Sequence, residues 1–314
     1  MNDRGRGRRR KRGPSRAIRE PELPPLPPPD PAALAEVVKA NDLRPVGGRP
    51  PLGRYVSSLW QRRAFMWTYA RSQVRASNAA SQLGGLWVVL NPILNAAVYY
   101  LIFGIILGTS RGIENFIAFL VIGVFVMNYT ARSMTSGANA IMGNLNLIRA
   151  LHFPRAILPM TVVLRELLEF FVAGAVMVLI VLVTGEPLSA EWLALPAIIA
   201  IQTLFNLGLC FTFARLTSQV RDVKNMLPFV TRTWTYLSGV MYSIDKFTDG
   251  APPWAVFLLQ INPAHVYIEL MRDALMQTYD ADPTLWFWGI GWALFASIGG
   301  FLYFWRGEET YGRA

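Results

Sequence analysis

Long runs of apolar residues alternate with short polar segments from about residue 81 to the end of the chain. An α-helix needs about 20 mostly apolar residues to cross the hydrocarbon core of a membrane. Six runs reach or approach that length, and each predicts one membrane-spanning helix: Leu86–Gly108, Phe116–Met134, Ile157–Thr184, Trp192–Ala214, Met226–Tyr242 and Pro283–Trp305. The pattern therefore predicts an all-α, polytopic membrane protein with six transmembrane helices.

The uncharged segment Gly250–Ile268 is nearly long enough for a seventh span, but Pro252, Pro253 and Pro263 interrupt it. A proline removes a helix hydrogen bond and disfavours helical geometry at the residue before it. Each unbroken piece is too short to cross a membrane. We therefore predict a pair of short, re-entrant or interfacial helices between spans five and six, with a seventh span as the alternative.

A basic and aromatic segment, Val56–Ser77, precedes the first span. Its aromatic side chains include Trp60 and Trp67, and its arginines are Arg62, Arg63, Arg71 and Arg75. Such a composition is typical of an amphipathic helix in the membrane interface, with its rings toward lipid and its arginines toward anionic headgroups. A helix packed on a partner protein fits the same pattern. We assign residues 53–80 to this interface helix and residues 81–314 to the membrane domain.

Charge then gives the orientation. Only 16% of the residues are charged, against about 25% in soluble domains, and the net charge is +10. The lysines and arginines fall mainly in four segments on one side of the predicted topology: 1–85, 132–156, 215–225 and 306–314. Because positive residues favour the cytoplasmic side, both termini are predicted to be cytoplasmic.

Residues 1–52 differ in composition from the rest of the chain. They contain 12 lysines and arginines and 11 of the 21 prolines. Such a segment buries too little apolar surface to offset the entropy of ordering, which predicts a disordered, basic and proline-rich cytoplasmic tail. One short helix is compatible with Pro31–Ala40, since Asp30 can cap it and Pro31 suits its first position.

The chain offers little for catalysis or metal binding. It has one cysteine, Cys210, and two histidines far apart in sequence, so we expect no metal site. It contains no phosphate-binding loop for a nucleotide. Metal-dependent membrane transferases need clustered carboxylates, whereas the one close pair within predicted spans is Glu166 and Glu169, and Arg165 can neutralise Glu169. We expect neither an enzyme nor a cofactor bound by this chain.

The loop between spans two and three predicts a docking element. A short amphipathic helix over about Ser136–Leu151 would end before a proline. The residues at its tip are Arg149, His152 and Arg155. This arrangement suits docking on a cytosolic partner, and an ordinary positively charged inner loop is the alternative.

Polar and aromatic side chains at membrane depth would line any path that the spans enclose. The candidate channel residues are Asn91, Asn95, Tyr99, Tyr100, Arg232, Trp234 and Tyr236. Arg232 stands out, since a mid-span charge costs about 2.5–3.5 kcal/mol and usually faces a partner or wet cavity. The alternatives are snorkelling for Arg232, and lipid contact or helix packing for the aromatic residues.

Several short motifs follow one another in order along residues 54–314. They are Arg71-x-x-x-Arg75, Leu83-Gly84-x-x-Trp87, Asn91-Pro92, Phe153-Pro154-Arg155, Leu158-Pro159, Arg221-Asp222-Val223, Pro228, Asn262-Pro263, Arg272 and Trp305-Arg306-Gly307-Glu308-Glu309-x-Tyr311-Gly312. Their order resembles that of ABC-2-type transporter permeases, the membrane subunits that export lipid-linked polysaccharides such as O-antigen, teichoic acid or galactan.

The resemblance implies a homodimer driven by two copies of a separate nucleotide-binding ATPase subunit, which would hold ATP and magnesium. It implies export of a polyprenyl-diphosphate-linked polysaccharide across a bacterial inner or plasma membrane. Sugar faces pack on aromatic rings while hydroxyls seek polar partners, so the candidate channel residues would line the polysaccharide path. It assigns ATPase coupling to Arg149, His152, Phe153, Pro154, Arg155, Arg221 and Asp222. It assigns the outer gate to Trp254, Phe257, Asn262, Pro263 and Arg272.

Two other functions stay open on the sequence. The same fold could export a small drug or lipid, and an ion-coupled secondary transporter would belong to a different class, although no internal repeat favours it. The basic tail suits anionic headgroups rather than nucleic acid. The expected partners are therefore membrane lipids, the ATPase, a second copy of the chain and the lipid-linked glycan.

Overall fold

The computed structural model describes residues 30, 36, 40, 50–79, 82–108, 113–151, 153–244, 252–277, 279 and 282–311. The predicted disordered tail and the helix over Pro31–Ala40 lie outside these residues except at isolated positions, and His152 lies outside them altogether. Within the described ranges the regular structure is helical, without a strand. The all-α prediction is therefore confirmed.

The helices follow the apolar runs of the sequence. They are α1 (Leu52–Gln61), α2 (Arg63–Ala79), α3 (Leu86–Tyr99), α4 (Phe116–Ala138), α5 (Leu145–Ala150), α6 (Ile157–Val183), α7 (Leu195–Gln219), α8 (Val223–Leu237), α9 (Pro253–Gln260), α10 (Pro263–Leu275) and α11 (Leu285–Arg306). A π-helical stretch, Tyr100–Ile106, extends α3, and a 3₁₀ turn, Ala190–Ala194, precedes α7.

Five helical segments of the described chain are long and apolar enough to cross a membrane: α3 with its extension, α4, α6, α7 with its preceding turn, and α11. They coincide with predicted spans one to four and six. The chain is thus a multi-pass membrane protein, as the hydropathy pattern predicts.

The fifth predicted span, Met226–Tyr242, forms a shorter helix than its apolar run indicates. Helix α8 has 15 residues and ends at Leu237. Gly239 then adopts a φ of +64°, a left-handed conformation that favours glycine and that a helix cannot continue through. Because α8 falls short of the usual crossing length, the count of six spans stays a prediction.

The proline-broken segment between α8 and α11 forms two short helices, α9 and α10, as predicted. The break falls at Asn262, whose side-chain Oδ1 accepts a hydrogen bond from the Ala264 N–H at 3.2 Å. Pro263 occupies the first turn of α10, where a missing N–H leaves no helix bond unmade. An asparagine cap followed by proline therefore sets the start of α10.

Two helix predictions from the sequence are wrong in detail. The interface segment Val56–Ser77 is divided into α1 and α2 at Arg62, whose N–H bonds to the Leu59 carbonyl at 3.1 Å. The predicted helix Ser136–Leu151 is not continuous either, because its first residues belong to α4 and only Leu145–Ala150 form α5. The Asn144 side chain bonds to the Ala140 carbonyl at 2.8 Å, which is how such residues compete with a helix.

Helix α4 lies at the centre of the fold. Its apolar stretch is 78% buried, whereas that of α3 is only 11% buried, and α8 buries Leu227 alone. Helices α3 and α8 thus lie at the periphery, with most of their surface unpartnered within one chain.

Helices α7 and α11 approach each other closely at two glycines. A Cβ atom built on Gly300 would lie 2.3 Å from the Gly208 carbonyl oxygen, whereas one built on Gly299 meets no other atom within 4 Å. Small residues at such crossings let helix backbones approach in membranes. The crossing therefore depends on Gly300 and not on its neighbour.

We expect Gly300→Val to destabilise the fold by about 1–3 kcal/mol, the usual range for overpacking. Thermal unfolding of the detergent-solubilised protein measures this effect. Gly299→Val is the matched control, because it adds the same side chain one residue away in open space. Equal thermal midpoints for the two variants would contradict the close packing.

Candidate functional site

A cavity of about 290 Å³ lies between α3, α4 and α6. Its polar lining residues are Asn91, Asn95, Asn128, Arg132, Glu166 and Glu169, and its aromatic lining residues are Phe125, Tyr129 and Phe170. The rings of Tyr129 and Phe170 stack with centroids 4.5 Å apart. The cavity thus combines hydrogen-bonding groups with aromatic surface.

Helical spacing explains why these polar groups meet. Asn91 and Asn95 are four residues apart on α3, and Asn128 and Arg132 are four residues apart on α4, so each pair shares one helix face. Both faces border the same cavity. An apolar helix can carry such a stripe because its other faces remain available for packing or lipid.

The charged groups of the cavity wall form one network. The Arg132 Nε donates to Glu166 Oε2 at 3.0 Å, and its guanidinium also contacts Glu169. Ser136 Oγ donates to Glu166 Oε1 at 2.8 Å, and Arg165 contacts the same carboxylate. Two partly exposed arginines therefore balance two buried glutamates.

The sequence identified only half of this network. The expected ion pair is present, with Arg165 Nε 3.9 Å from Glu169 Oε1. Arg132 was missed because it was counted with the positive inner segment 132–156, although it precedes the predicted end of span two at Met134 by two residues. Helix α4 continues to Ala138, so Arg132 lies inside it. Its spacing of four residues from Asn128, on the same helix face, is the signal that could have placed Arg132 beside the cavity.

Three of the predicted channel residues lie on one face of α3, and two residues of α8 lie close to the last of them. Asn91 and Asn95 line the cavity, and Tyr99 continues their stripe after another four residues on α3. Arg232 and Tyr236 of α8 lie within electrostatic range of the Tyr99 hydroxyl. A row of polar groups therefore leads from the cavity along α3 toward α8.

The two other channel candidates have intramolecular contacts. The ring of Tyr100 packs beside Phe116, with centroids 6.2 Å apart. The Trp234 indole N–H donates to Asn262 Oδ1 at 2.7 Å, which ties α8 to the start of α10. These contacts give both residues a packing role within one chain.

The predicted gate residues divide into exposed and buried groups. Trp254 and Phe257 of α9 are largely exposed. Asn262 also donates to the Ser238 hydroxyl at 3.0 Å, so it joins the end of α8 to α10. Arg272 is fully buried, and its guanidinium donates to Glu269 Oε1 at 2.8 Å and to the Val240 carbonyl at 3.0 Å.

The predicted coupling residues gather at one end of the bundle, which we call the α5 end. Arg149 is exposed on α5, and Arg221 and Asp222 are exposed in the turn between α7 and α8. The C-terminal end of α11 lies here too, since the Tyr303 hydroxyl donates to Gln219 Oε1 at 3.2 Å. The α5 end thus presents charged groups from separate connections.

Arg155 differs from the other coupling candidates because it is bound within the fold. Its N–H donates to Glu308 Oε1 at 2.9 Å, and its guanidinium contacts the Glu308 carbonyl. Phe153 and Pro154, just before it, are partly buried. The motif therefore holds the start of α6 against the segment that follows α11.

Tyr55 of α1 completes this contact, and we call the four residues Tyr55, Arg155, Ala156 and Glu308 the latch. The Tyr55 hydroxyl donates to Glu308 Oε2 at 2.7 Å and accepts from the Ala156 N–H at 3.1 Å. Burial raises the pKa of the Glu308 carboxyl, although hydrogen bonds from Arg155 and Tyr55 oppose the shift. Burial and the nearby Glu308 raise the pKa of Tyr55. Neither Tyr55 nor Glu308 was among the predicted site residues.

Comparison with known proteins places this fold. The sequence profile of the family described as "ABC-2 type transporter" matches residues 64–276. The chain belongs to the ABC-2 type transporter family. The resemblance inferred from the order of the short motifs is therefore confirmed.

Individual ABC-2 relatives align over about two thirds of the chain. It is 27% identical over 210 residues to the O-antigen export system permease protein RfbA of Myxococcus xanthus, covering 67% of this chain and 79% of that protein. It is 29% identical over 215 residues to the protein of the same name from Klebsiella pneumoniae, covering 67% and 81%. It is 24% identical over 212 residues to the polysialic acid transport protein KpsM of Escherichia coli, covering 66% and 79%.

The region matched by the ABC-2 family contains the cavity but only part of the latch. The cavity between α3, α4 and α6 and the buried Arg272 lie inside residues 64–276, whereas Tyr55 and Glu308 of the latch lie on either side of that range. The latch thus connects the segments that flank the matched region.

Proposed function

We propose that this chain is the membrane subunit of an ATP-driven exporter that moves a polyprenyl-diphosphate-linked polysaccharide from the cytoplasmic to the outer side of a bacterial inner membrane. The observation that carries the proposal is the neutral cavity with amide, guanidinium, carboxylate and aromatic groups beside span one. Such groups suit uncharged sugar hydroxyls and ring faces. ABC-2 relatives named for O-antigen export and polysialic acid transport support the same substrate class.

A second copy of the chain would complete the path. Helix α8 exposes Arg232, Thr233 and Tyr236, and polar groups at membrane depth need a partner or a wet cavity. Two copies that meet along α3 and α8 would enclose the polar row from Asn91 to Tyr236. Arg232, on α8 beside this row, would then face the diphosphate or the sugar hydroxyls.

Energy would come from two copies of a separate ATPase subunit that carries ATP and magnesium, while this chain binds no cofactor. In this topology the α5 end and both termini face the cytoplasm, in agreement with the distribution of lysines and arginines. The exposed Arg149, Arg221 and Asp222 would contact the ATPase. The latch would pass its movement from α6 to α1 and α11.

Reconstitution tests the proposal. The chain is purified with its ATPase subunit, and ATP-dependent movement of lipid-linked glycan is measured in vesicles. We expect an equimolar complex and export that requires ATP. Uptake driven by an ion gradient with this chain alone would contradict the proposal. ATP-dependent export of a small drug without glycan export would show that the substrate is a small drug and not a glycan.

The cavity makes a specific prediction for the substrate path. We expect Asn95→Leu to reduce glycan export about 2- to 10-fold, the loss equivalent to one or so hydrogen bonds, with assembly unchanged. Export per complex in vesicles measures the effect. Leu94→Ala is the control, since Leu94 is half exposed on the same helix and does not line the cavity. Equal export by wild type and Asn95→Leu would show that the cavity is not part of the glycan path.

A further inference from the structure

An apolar groove lies between the interface helices and the membrane bundle. It has a volume of about 430 Å³, and α1 and α2 supply one wall through Val56, Leu59, Trp60, Arg63 and Met66. The other wall comes from α6, α7 and α11, mainly through Met160, Leu207, Phe211, Ile298, Phe301 and Leu302. Arg63 is the one charged residue among the lining residues that the structure describes.

The depth of this groove corresponds to one membrane leaflet. Ile298 precedes the end of α11 at Arg306 by eight residues, or about 12 Å of helix, and Leu207 precedes the end of α7 at Gln219 by twelve, or about 18 Å. Half of the ~30 Å hydrocarbon core is about 15 Å. The groove therefore runs from the membrane surface at the α5 end to about the bilayer centre.

Charge at the groove has one sign. Segment 50–79 contains five arginines and no aspartate or glutamate. The Arg63 guanidinium lies 5.3 Å from the ring centroid of Trp60, and Trp60 is 70% exposed. Tryptophan and arginine together are typical of the headgroup level of a membrane. An anionic group beside Arg63 would be favoured by this charge.

We propose that the groove binds one acyl chain of an anionic glycerophospholipid, whose net negative headgroup pairs with Arg63. The apolar walls match an acyl chain, their depth matches a single leaflet, and the single cation lies on the interface helices at the surface. A bound lipid would fill the space between α1 and the spans, and would thereby support the position of the interface helices. This inference does not depend on the identity of the exported substrate.

Native mass spectrometry of the purified protein tests the headgroup contact. Phosphatidylglycerol and phosphatidylcholine with the same acyl chains are added in equal amounts, and the ratio of bound lipids is measured. We expect wild type to prefer phosphatidylglycerol and Arg63→Gln to lower the ratio about five-fold, the effect of one basic residue near an anionic surface. Arg71→Gln is the matched control, because Arg71 also lies over a tryptophan, 4.9 Å from the Trp67 ring, but does not line the groove. An equal loss in both variants would overturn the proposal.

Filling the groove tests the acyl-chain site. Ile298→Trp is expected to lower the occupancy of both lipids, whereas Ile290→Trp, at a partly exposed position of the same helix outside the groove, is expected to preserve it. A photo-crosslinking residue at Leu302 should give adducts with lipid. Crosslinks mainly to a second copy or to the ATPase would assign the groove to a protein and overturn the proposal.

Discussion

Arg272→Ala should yield little folded protein. Breaking a buried ion pair by removing one partner typically costs about 3–5 kcal/mol, a large share of the 5–15 kcal/mol that stabilises ordinary proteins. Detergent-solubilised yield in size-exclusion chromatography, and the thermal midpoint of what remains, measure the effect. We expect the variant to lose most of its monodisperse protein.

The size of this effect follows from the number of groups that share one guanidinium. Arg272 donates to the carbonyls of Phe119 at 3.1 Å, Gly239 at 3.1 Å and Val240 at 3.0 Å, besides the Glu269 carboxylate at 2.8 Å. The central carbon of its guanidinium, Cζ, also lies 3.3 Å from the Phe119 ring centroid. Alanine would leave these carbonyls without this donor and the buried Glu269 carboxylate without its arginine, with the Tyr279 hydroxyl still donating to Glu269. Each unsatisfied group carries a desolvation penalty.

Two variants separate this explanation from a general sensitivity to lost charge. Arg232→Ala removes an exposed arginine from α8 and is expected to fold with a wild-type thermal midpoint. Arg272→Lys keeps the charge but lacks the planar set of donors that bridges several acceptors, so we expect intermediate stability. A wild-type midpoint for Arg272→Ala would show that the guanidinium does not hold α4, the Gly239 turn and α10 together.

The sequence predicted the features that depend on local patterns, namely the positions of the long helices and one helix break. The long apolar runs located α3, α4, α6, α7 and α11, and the Asn262-Pro263 pair located the break between α9 and α10. Where a short signal opposes a long run, hydropathy was misleading: the apolar residues after Leu237 continue the fifth run, but Gly239 turns the chain. Arg132 was counted with the positive inner loop, so its contacts with the two glutamates of α6 were not predicted.

Contacts between distant segments could not be predicted from the sequence. Arg272 was assigned to a gate because its position matched a motif, yet its partners include the backbone carbonyl of Phe119, 153 positions away. A carbonyl acceptor leaves no trace in residue type. Tyr55 and Glu308 are 253 positions apart, and neither is unusual in its own segment. The structure was needed to show that Glu308 binds both Tyr55 and Arg155.

We expect the latch to couple α1 and the segment after α11 to the start of α6. Glu308→Gln keeps the size of the side chain but removes its charge, which weakens the contact with Arg155, since hydrogen bonds to charged groups are worth about 1.5–3 kcal/mol. We expect glycan export to fall about ten-fold or more, the equivalent of ~1.4 kcal/mol, while the complex with the ATPase still assembles and hydrolyses ATP. The measurement is the number of ATP molecules hydrolysed per glycan exported, which should rise.

The number of ATP molecules hydrolysed per glycan exported distinguishes a latch that transmits movement from one that only stabilises the fold. Tyr55→Phe removes only the hydroxyl that bridges Glu308 and the Ala156 N–H, so it should change the ratio in the same direction as Glu308→Gln. Because both changes break one shared network, the double variant should show less than the sum of the two effects, with a coupling of about 0.5–3 kcal/mol. Glu191→Gln, an exposed position outside the latch with the same change of charge, should leave the ratio unchanged. If export and ATP hydrolysis instead fell in proportion, together with the thermal midpoint, the latch would only hold the fold together and would not transmit movement from the ATPase.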